Sequence, residues 1–241
     1  MERARHLLRS SVIVIVLLGI GKLTGLIRLR LISSAFGTSP EYDAFTSANQ
    51  LPEVFVTLFA GGALAAAFIP VYSQYLTDRG STDSLKLANT IITLVIAVLG
   101  GISAIAILFA DPLSALLVPG YSAETQVLTA QLMRIILLQT TLYGIGGVLS
   151  SILNAHQHFT IPALAPITLD VGYLVGLIFF VPSLGITGLA LGTVVGGVLN
   201  ILIHIPALHR FGFKAFLALD TKLPGVREIV RLMGPRIVTL G

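Results

Sequence analysis

Residues 87–110, LANTIITLVIAVLGGISAIAILFA, form a run of 24 residues without a formal charge between Lys86 and Asp111. A helix that crosses a lipid bilayer needs about 20 consecutive and mostly apolar residues, because the hydrocarbon core is about 30 Å thick. This run is long enough and apolar enough to meet that requirement. It therefore predicts a membrane-spanning helix.

Three further uncharged runs, residues 54–77, 135–169 and 171–209, extend this pattern over most of the chain. Of all 241 residues, 55% are apolar and 11% are charged, whereas soluble domains carry about 25% charged residues. So few charges exclude an ordinary soluble domain, and the abundance of apolar residues excludes a disordered one. We therefore predict an all-α integral membrane protein.

The two longest uncharged runs exceed the length of one span, and turn-forming residues divide them. Pro162 and Pro166 interrupt the first run, and residues 181–185 (VPSLG) interrupt the second. This division predicts six transmembrane helices, at about 8–34, 44–77, 84–110, 124–153, 162–182 and 186–209. A seventh apolar stretch begins near Val230 and is cut off at Gly241. We expect residues 1–212 to form one bundle and residues 213–241 to form a cytoplasmic connection and the truncated start of a seventh span.

The basic residues near the ends of the predicted spans are distributed on one side of the membrane. Nine of them lie before the first span, between the second and third, or after the sixth: Arg3, Arg5, Arg9, Arg79, Lys86, Arg210, Lys214, Lys222 and Arg227. The alternate connections, residues 33–42, 111–123 and 181–185, contain no Lys or Arg. Since cytoplasmic loops are enriched in Lys and Arg, we predict a cytoplasmic N-terminus. No small-residue cleavage site follows the first apolar run, so we expect it to stay in the mature protein.

Charged side chains inside the predicted spans mark the candidate functional residues: Lys22, Arg28, Arg30, Glu53, Arg134 and Asp170. A charge at mid-membrane costs about 2.5–3.5 kcal/mol on insertion scales, so it is expected to face a cavity or a partner, or to reach the interface. Arg30 and Arg134 can reach an interface from a helix end. Lys22 and Arg28 are flanked by apolar sequence and have no acid one turn away. Together these residues predict a cationic interior that suits an anionic ligand.

Lys22 and Arg28 are six residues apart, which places them about 120° apart around an ideal helix. They face one cavity only if the helix bends, and Gly25 between them permits a bend. Glu53 and Asp170 are predicted to be internal counter-ions.

Glycines recur at four-residue spacing within the spans, at Gly21/Gly25, Gly172/Gly176 and Gly188/Gly192/Gly196. Such small-residue ridges allow close helix packing. They also suit sliding surfaces in a transporter, and both interpretations stay open at this point.

Motifs for other functions are absent from the sequence. No phosphate-binding loop, dinucleotide-binding motif or zinc-protease motif occurs, and the acids within the spans are isolated, so an enzyme is not expected. His156 and His158 form a pair without nearby carboxylates and are expected to be solvated rather than to bind a metal. With no cysteine there is no thiolate or disulfide chemistry. We expect no cofactor, and the net charge of +4 does not indicate nucleic-acid binding, since its basic residues follow the membrane topology.

Several segments resemble the MurJ (MviN) lipid II flippases, a family of the multidrug/oligosaccharidyl-lipid/polysaccharide exporter superfamily. The clearest are residues 21–28 (GKLTGLIR), 58–64 (LFAGGAL), 159–166 (FTIPALAP) and 185–192 (GITGLALG). The resemblance runs in order through nearly the whole chain. It implies the N-terminal lobe of a fourteen-helix transporter whose two lobes surround a cationic cavity, in the plasma (inner) membrane of a bacterium.

The resemblance also assigns site residues. Arg28 matches an arginine of the family's cavity, and Lys22 stands where Arg is usual. Other positions depart from the family pattern, namely Leu29 for an Asp, Val56 for an Arg, Gly61 for a Glu and Asp170 for an Asn.

The function implied by the resemblance is the movement of lipid II, an undecaprenyl-diphosphate-linked precursor, from the cytoplasmic to the outer leaflet by alternating access. Lys22 and Arg28 would bind the diphosphate. Further candidates are Arg30, Asp43, Glu53, Arg134 and Asp170. The implied partners are this lipid-linked diphosphate, the membrane and the missing C-terminal lobe. Two alternatives remain open: a flippase of the same superfamily for another lipid-linked glycan, and a membrane interaction protein that does not transport.

Overall fold

A computed structural model describes the backbone of residues 2–59 and 62–240 and the side chains of residues 14–57 and 62–235. Helices and short connections make up this part of the chain, and no strand occurs in it. The helices are α1 (Glu2–Phe36), α2 (Pro40–Phe59), α3 (Ala63–Asp78), α4 (Gly80–Leu108), α5 (Ala110–Leu117), α6 (Ala123–Ala155), α7 (Thr160–Val175), α8 (Val181–Leu184), α9 (Ile186–Arg210) and α10 (Pro224–Leu240). The predicted all-α class is confirmed.

Four helical stretches are long and apolar enough to cross a membrane: α4, α6, Thr160–Leu184 and α9. The third consists of α7, one wide turn at Gly176–Phe180 and α8. It ends at Gly185, which has a φ of +57°, a left-handed conformation that glycine adopts without steric cost. The predicted total of six spans is not confirmed by the described residues.

The predicted span at 44–77, in which Gly61 and Gly62 permit a bend or local unwinding, is not one continuous helix. The structure has two helices there, α2 and α3, and Gly62 stands immediately before α3. The sequence places two adjacent glycines, Gly61 and Gly62, in the middle of the predicted span. Glycine costs about 1 kcal/mol in a helix interior relative to alanine, so the pair weakens a continuous helix at this point.

Two other predicted bounds also differ from the observed helices. The predicted span 84–110 extends beyond α4, which ends at Leu108, and the separate helix α5 follows. The seventh apolar stretch was predicted from Val230, but its helix begins six residues earlier, at Pro224. Proline is favoured in the first turn of a helix, because its missing N–H has no partner there in any case.

Helix α6 lies at the centre of the bundle and packs against α2, α3, α4, α5 and α9, while α7 packs between α9 and α1. The buried side chains of α6 contribute to two apolar cores. One core joins α6 to α3, α4, α9 and α10, and includes Phe68 and Ile152. The other joins it to α1, α2, α7 and α9, and includes Met133 and Leu189.

The glycines of α7 and α9 bring these two helices into backbone contact. A methyl group at Gly172 would lie 2.5 Å from the carbonyl oxygen of Gly192, and one at Gly176 would lie 2.8 Å from that of Gly188. By contrast, no described atom outside its own helix lies within 4 Å of a methyl group built at Gly25. The predicted ridge on α7 and α9 is therefore a helix-packing surface, whereas Gly25 faces open space.

The connection between α9 and α10 is bound to the side of α4. The Asn89 side chain donates to the carbonyl of Lys214 (3.0 Å) and accepts from the N–H of Phe216 (2.8 Å). At the surface, Lys86 Nζ lies 2.7 Å from Asp220 Oδ2. This hydrogen bond lowers the pKa of the Asp220 carboxyl. These contacts order a segment that has no helix of its own.

Candidate functional site

A cavity with a volume of about 820 Å³ lies among the described helices. Its walls come mainly from α1, α6 and α7, with single residues from α2, α3 and α9. Both Lys22 and Arg28 line it. The structure thus brings the two predicted diphosphate ligands to one cavity, along one continuous helix.

Arg28 forms an ion pair with Asp170. The distance from Arg28 Nη1 to Asp170 Oδ1 is 2.9 Å, and the exposed fractions of the two side chains are 30% and 8%. The Arg28 guanidinium also lies over the ring of Tyr173, at 4.7 Å from the centroid, which is within the range of a cation–π contact. Since Tyr173 follows Asp170 by three residues on α7, both side chains are on one face of that helix. The predicted pairing of Asp170 with an internal cation is confirmed.

Thr24 forms a hydrogen bond with the second oxygen of the Asp170 carboxylate. Its hydroxyl lies 2.5 Å from Asp170 Oδ2 and 3.0 Å from the carbonyl oxygen of Gly21, and its one hydrogen is shared between these two acceptors. Each Asp170 oxygen therefore has a donor on α1, from Arg28 or from Thr24. A buried carboxylate needs such partners, because an isolated charge in the interior is strongly disfavoured. The two helices are joined by this cluster.

Lys22 has a different environment. It lies six residues before Arg28, which is about 9 Å along the helix axis, and its side chain is exposed at the cavity. Within the part of the chain whose side chains are described, no hydrogen bond or ion pair involves its ammonium group. Of the two cations that line this cavity, Arg28 is paired and Lys22 has no partner among the described side chains.

Two smaller cavities, of about 410 and 210 Å³, adjoin Arg28 on the side of α2. Both are lined by Arg28, Tyr173, Asn49 and Glu53. Glu53 thus lies near the cationic cluster, but none of the ion pairs among the described side chains includes it. Its predicted role as a counter-ion has no direct contact to support it.

The remaining candidates lie apart from Lys22 and Arg28. Arg134 pairs with Asp111 at 2.6 Å, near the end of the bundle that carries α5. Arg30 and Asp43 are exposed and line none of the cavities described above. The 820 Å³ cavity is therefore lined by Lys22, Arg28 and Asp170, and Glu53 lines the two smaller cavities beside Arg28. None of these cavities is lined by Arg30, Asp43 or Arg134.

Sequence reasoning missed Thr24 and Tyr173, which are uncharged and carry no motif of their own. Their spacing from charged residues offered a weak signal, because Tyr173 is one helical turn from Asp170. Among the described side chains, no group of three or more His, Asp or Glu residues is arranged to hold a metal ion.

Proteins with solved structures show the same fold. A structure described as "Lipid II flippase MurJ, inward closed conformation" superposes with a TM-score of 0.79 at 23% identity, covering 95% of this chain and 47% of that one. A structure described as "Crystal structure of MATE in complex with MaD5" superposes with a TM-score of 0.73 at 15% identity, covering 95% and 52%. At these identities the likeness concerns the fold alone.

Proteins related to this chain by sequence are also described as lipid II flippase MurJ. The chain is 30% identical over 242 residues to the probable lipid II flippase MurJ of Buchnera aphidicola subsp. Baizongia pistaciae, covering 98% of this chain and 46% of the relative. It is 28% identical to the lipid II flippase MurJ of Burkholderia cenocepacia, covering 90% and 43%. The chain thus spans about half the length of these relatives. The family model described as "Lipid II flippase MurJ" matches residues 32–241. The chain belongs to the MurJ family.

Proposed function

We propose that this chain forms the N-terminal lobe of a lipid II flippase and binds the diphosphate of the undecaprenyl-linked precursor in its large cavity. The observation that carries this proposal is that Lys22, unpaired among the described side chains, lines a cavity of about 820 Å³ that Arg28 also lines. An ammonium group among apolar helices is costly unless an anion compensates it. A diphosphate supplies that compensation.

The lobe comprises residues 1–212 with six spans and a cytoplasmic N-terminus, and residues 213–241 lead to the next span. The rest of the relatives' length supplies the opposite wall of the cavity. Movement of the two lobes then exposes the cavity first to the cytoplasm and afterwards to the outside of the bacterial plasma membrane. Transport of this kind needs binding and release of the precursor, and no covalent step.

The cationic residues have separate tasks in this mechanism. Lys22, which has no partner among the described side chains, makes the first contact with the phosphate oxygens. Arg28 offers a planar, two-pronged donor that suits phosphate, but it is paired with Asp170 at 2.9 Å. The diphosphate must therefore compete with Asp170 for Arg28. This competition keeps binding reversible, and a flippase must release its substrate on the far side.

The test is complementation of a flippase-depleted bacterium by the product of the complete gene. Lys22→Glu should abolish growth and flipping, because it replaces the attracting charge by a repelling one, whereas Lys22→Arg keeps the charge and should support growth. Lys222→Glu, at an exposed position in the connection before α10, is the matched control and should behave as wild type. Normal flipping by a Lys22→Glu protein at normal membrane levels would refute the proposed site.

A further inference from the structure

The connection between α9 and α10, residues 211–223, carries large apolar side chains on its surface. The exposed fraction is 50% for Phe216, 84% for Leu217 and 67% for Leu219. Contiguous exposed apolar side chains mark a surface that meets another molecule or a membrane. The position of this segment along α4 distinguishes between the two.

Two hydrogen bonds place the connection beside the first part of the uncharged run of α4. The N–H of Phe216 donates to Asn89 Oδ1 at 2.8 Å. The N–H of Ala218 donates to the hydroxyl of Thr93 at 3.3 Å. Asn89 and Thr93 lie about 3 and 9 Å beyond the first residue of this run along the helix axis. The run itself is about 36 Å long, about 6 Å more than the hydrocarbon core, so these contacts lie at the edge of that core.

The connection then returns to the charged end of α4. Asp220, two residues after Ala218, pairs with Lys86, which stands just before the uncharged run. The segment therefore dips along α4 and comes back, and residues 216–219 form its deepest part.

Side chains of α4 bind the backbone of this non-helical segment. Asn89 is only 1% exposed, and its amide nitrogen donates to the carbonyl oxygen of Lys214 at 3.0 Å while its oxygen accepts from Phe216. The Thr93 hydroxyl accepts from Ala218 and donates to the carbonyl oxygen of Asn89 at 2.9 Å. Irregular backbone at membrane depth needs partners of this kind, because lipid supplies none. Two polar residues one turn apart on an apolar helix thus hold the connection at the hydrocarbon edge.

Basic side chains stand on the shallow side of the apolar group. Arg210 ends α9, and Lys214 follows it by four residues. Both are exposed, and neither belongs to an ion pair among the described side chains. Lys and Arg next to a membrane surface are attracted by anionic headgroups.

We infer that the connection is an interfacial anchor: Phe216, Leu217 and Leu219 insert among the acyl chains of the cytoplasmic leaflet, and Arg210 and Lys214 bind phosphates of anionic phospholipids. A lipid leaflet offers acyl chains and phosphates in the order of depth in which this segment presents its apolar and basic side chains. The choice of leaflet rests on the orientation in the proposed function. The anchor itself does not depend on lipid II.

The experiment uses the product of the complete gene, with its other cysteines replaced, in vesicles of phosphatidylglycerol and phosphatidylcholine. A fluorophore attached to Leu217→Cys should lose most of its fluorescence when the acyl chains carry bromine, which quenches on contact. The matched control is Thr221→Cys, because Thr221 is also exposed and follows Asp220 at the charged end of α4. Its label should keep its fluorescence.

A second variant tests how the segment is held. Asn89→Leu leaves the backbone groups of Lys214 and Phe216 without partners, so it should reduce the quenching at position 217. Thr90→Val is the matched control, since Thr90 is fully buried and its hydroxyl bonds to the carbonyl oxygen of Lys86 within α4 at 2.8 Å. It should leave the quenching unchanged.

A third comparison tests the basic residues. Quenching at position 217 should be stronger when only phosphatidylglycerol carries bromine than when only phosphatidylcholine carries it. The double variant Arg210→Gln with Lys214→Gln should lose this difference. Equal quenching by the two lipids in the protein with both basic residues intact would refute the binding of anionic headgroups.

Two other results would overturn the anchor. If the label at position 217 is quenched no more than the label at position 221, the segment lies in water. If the label at 217 is shielded both from bromine and from iodide in solution, protein covers the segment instead of lipid. None of these measurements needs lipid II, so they can fail while the proposed function stands, and the reverse also holds. A reversed orientation would change the leaflet and leave the quenching as it is.

Discussion

Removing the charge of Asp170 while keeping its shape should tighten the binding of a diphosphate. In the structure, the Asp170 carboxylate accepts from Arg28 at 2.9 Å and from Thr24 at 2.5 Å. Asp170→Asn keeps an oxygen that can accept from Thr24, but it removes the negative charge that holds Arg28. The guanidinium is then free to turn to the phosphate oxygens.

The size of the effect follows from the bond that is lost. A hydrogen bond to a charged group contributes about 1.5–3 kcal/mol net, which corresponds to about 10- to 150-fold in affinity. Because the Arg28 side chain is 30% exposed, solvent already weakens the pair, and we expect the lower end of this range, about tenfold. Stability should fall little, since Arg28 keeps its contact with Tyr173.

The assay is calorimetric titration of the product of the complete gene with farnesyl diphosphate. Asp111→Asn is the matched control, because it removes the partner of Arg134 at 2.6 Å by the same chemical change away from the cavity, and its affinity should equal that of wild type. The double variant Asp170→Asn with Arg28→Ala should lose the gain. An unchanged or weaker affinity of Asp170→Asn, in a protein that unfolds at the wild-type temperature, would show that Asp170 does not compete for Arg28.

Two other perturbations test the fold and the topology. Gly172→Ala should destabilise the bundle by about 1–3 kcal/mol, because its methyl group would need to move about 1 Å from the Gly192 carbonyl. The control is Gly101→Ala, since no described atom outside its own helix lies within 4 Å of a methyl group built there. Thermal unfolding in detergent compares the two variants. Equal unfolding temperatures would contradict backbone contact between α7 and α9. Cysteines at the exposed positions Ser81 and Ser122 should be labelled by an impermeant thiol reagent in intact cells only at Ser122, and labelling only at Ser81 would reverse the proposed orientation.

The helical segments were predictable because the bilayer imposes a length that charge-free runs reveal. The uncharged run at 87–110 lies almost entirely in α4. Of the predicted turn at 181–185, residues 181–184 form the short helix α8, and Gly185 alone separates it from α9. The division of the predicted span 44–77 was harder to predict, since hydropathy does not register a break in an apolar segment. The adjacent glycines at 61 and 62 were the available signal, but glycine is also common in continuous transmembrane helices.

The site was predictable as a set of charges and not as a set of contacts. Composition and spacing identified Lys22 and Arg28 as costly in the membrane, and the structure places both at one cavity. Which of them is paired depends on how α1 packs against α7, and no local pattern encodes that packing. Asp170 therefore distinguishes the two predicted cations, because it pairs with Arg28, whereas Lys22 has no partner among the described side chains.

The position of this carboxylate has a consequence for movement between helices. The family resemblance expects an acid immediately after Arg28, where Leu29 stands, and an amide where Asp170 stands. The structure supplies the counter-ion of Arg28 from α7 instead of from α1, and Thr24 adds a second bond between the same helices. A counter-ion on the same helix can be displaced without any effect on packing. Under the proposed function, a diphosphate that displaces Asp170 from Arg28 would remove this ion pair and so weaken one contact between α1 and α7.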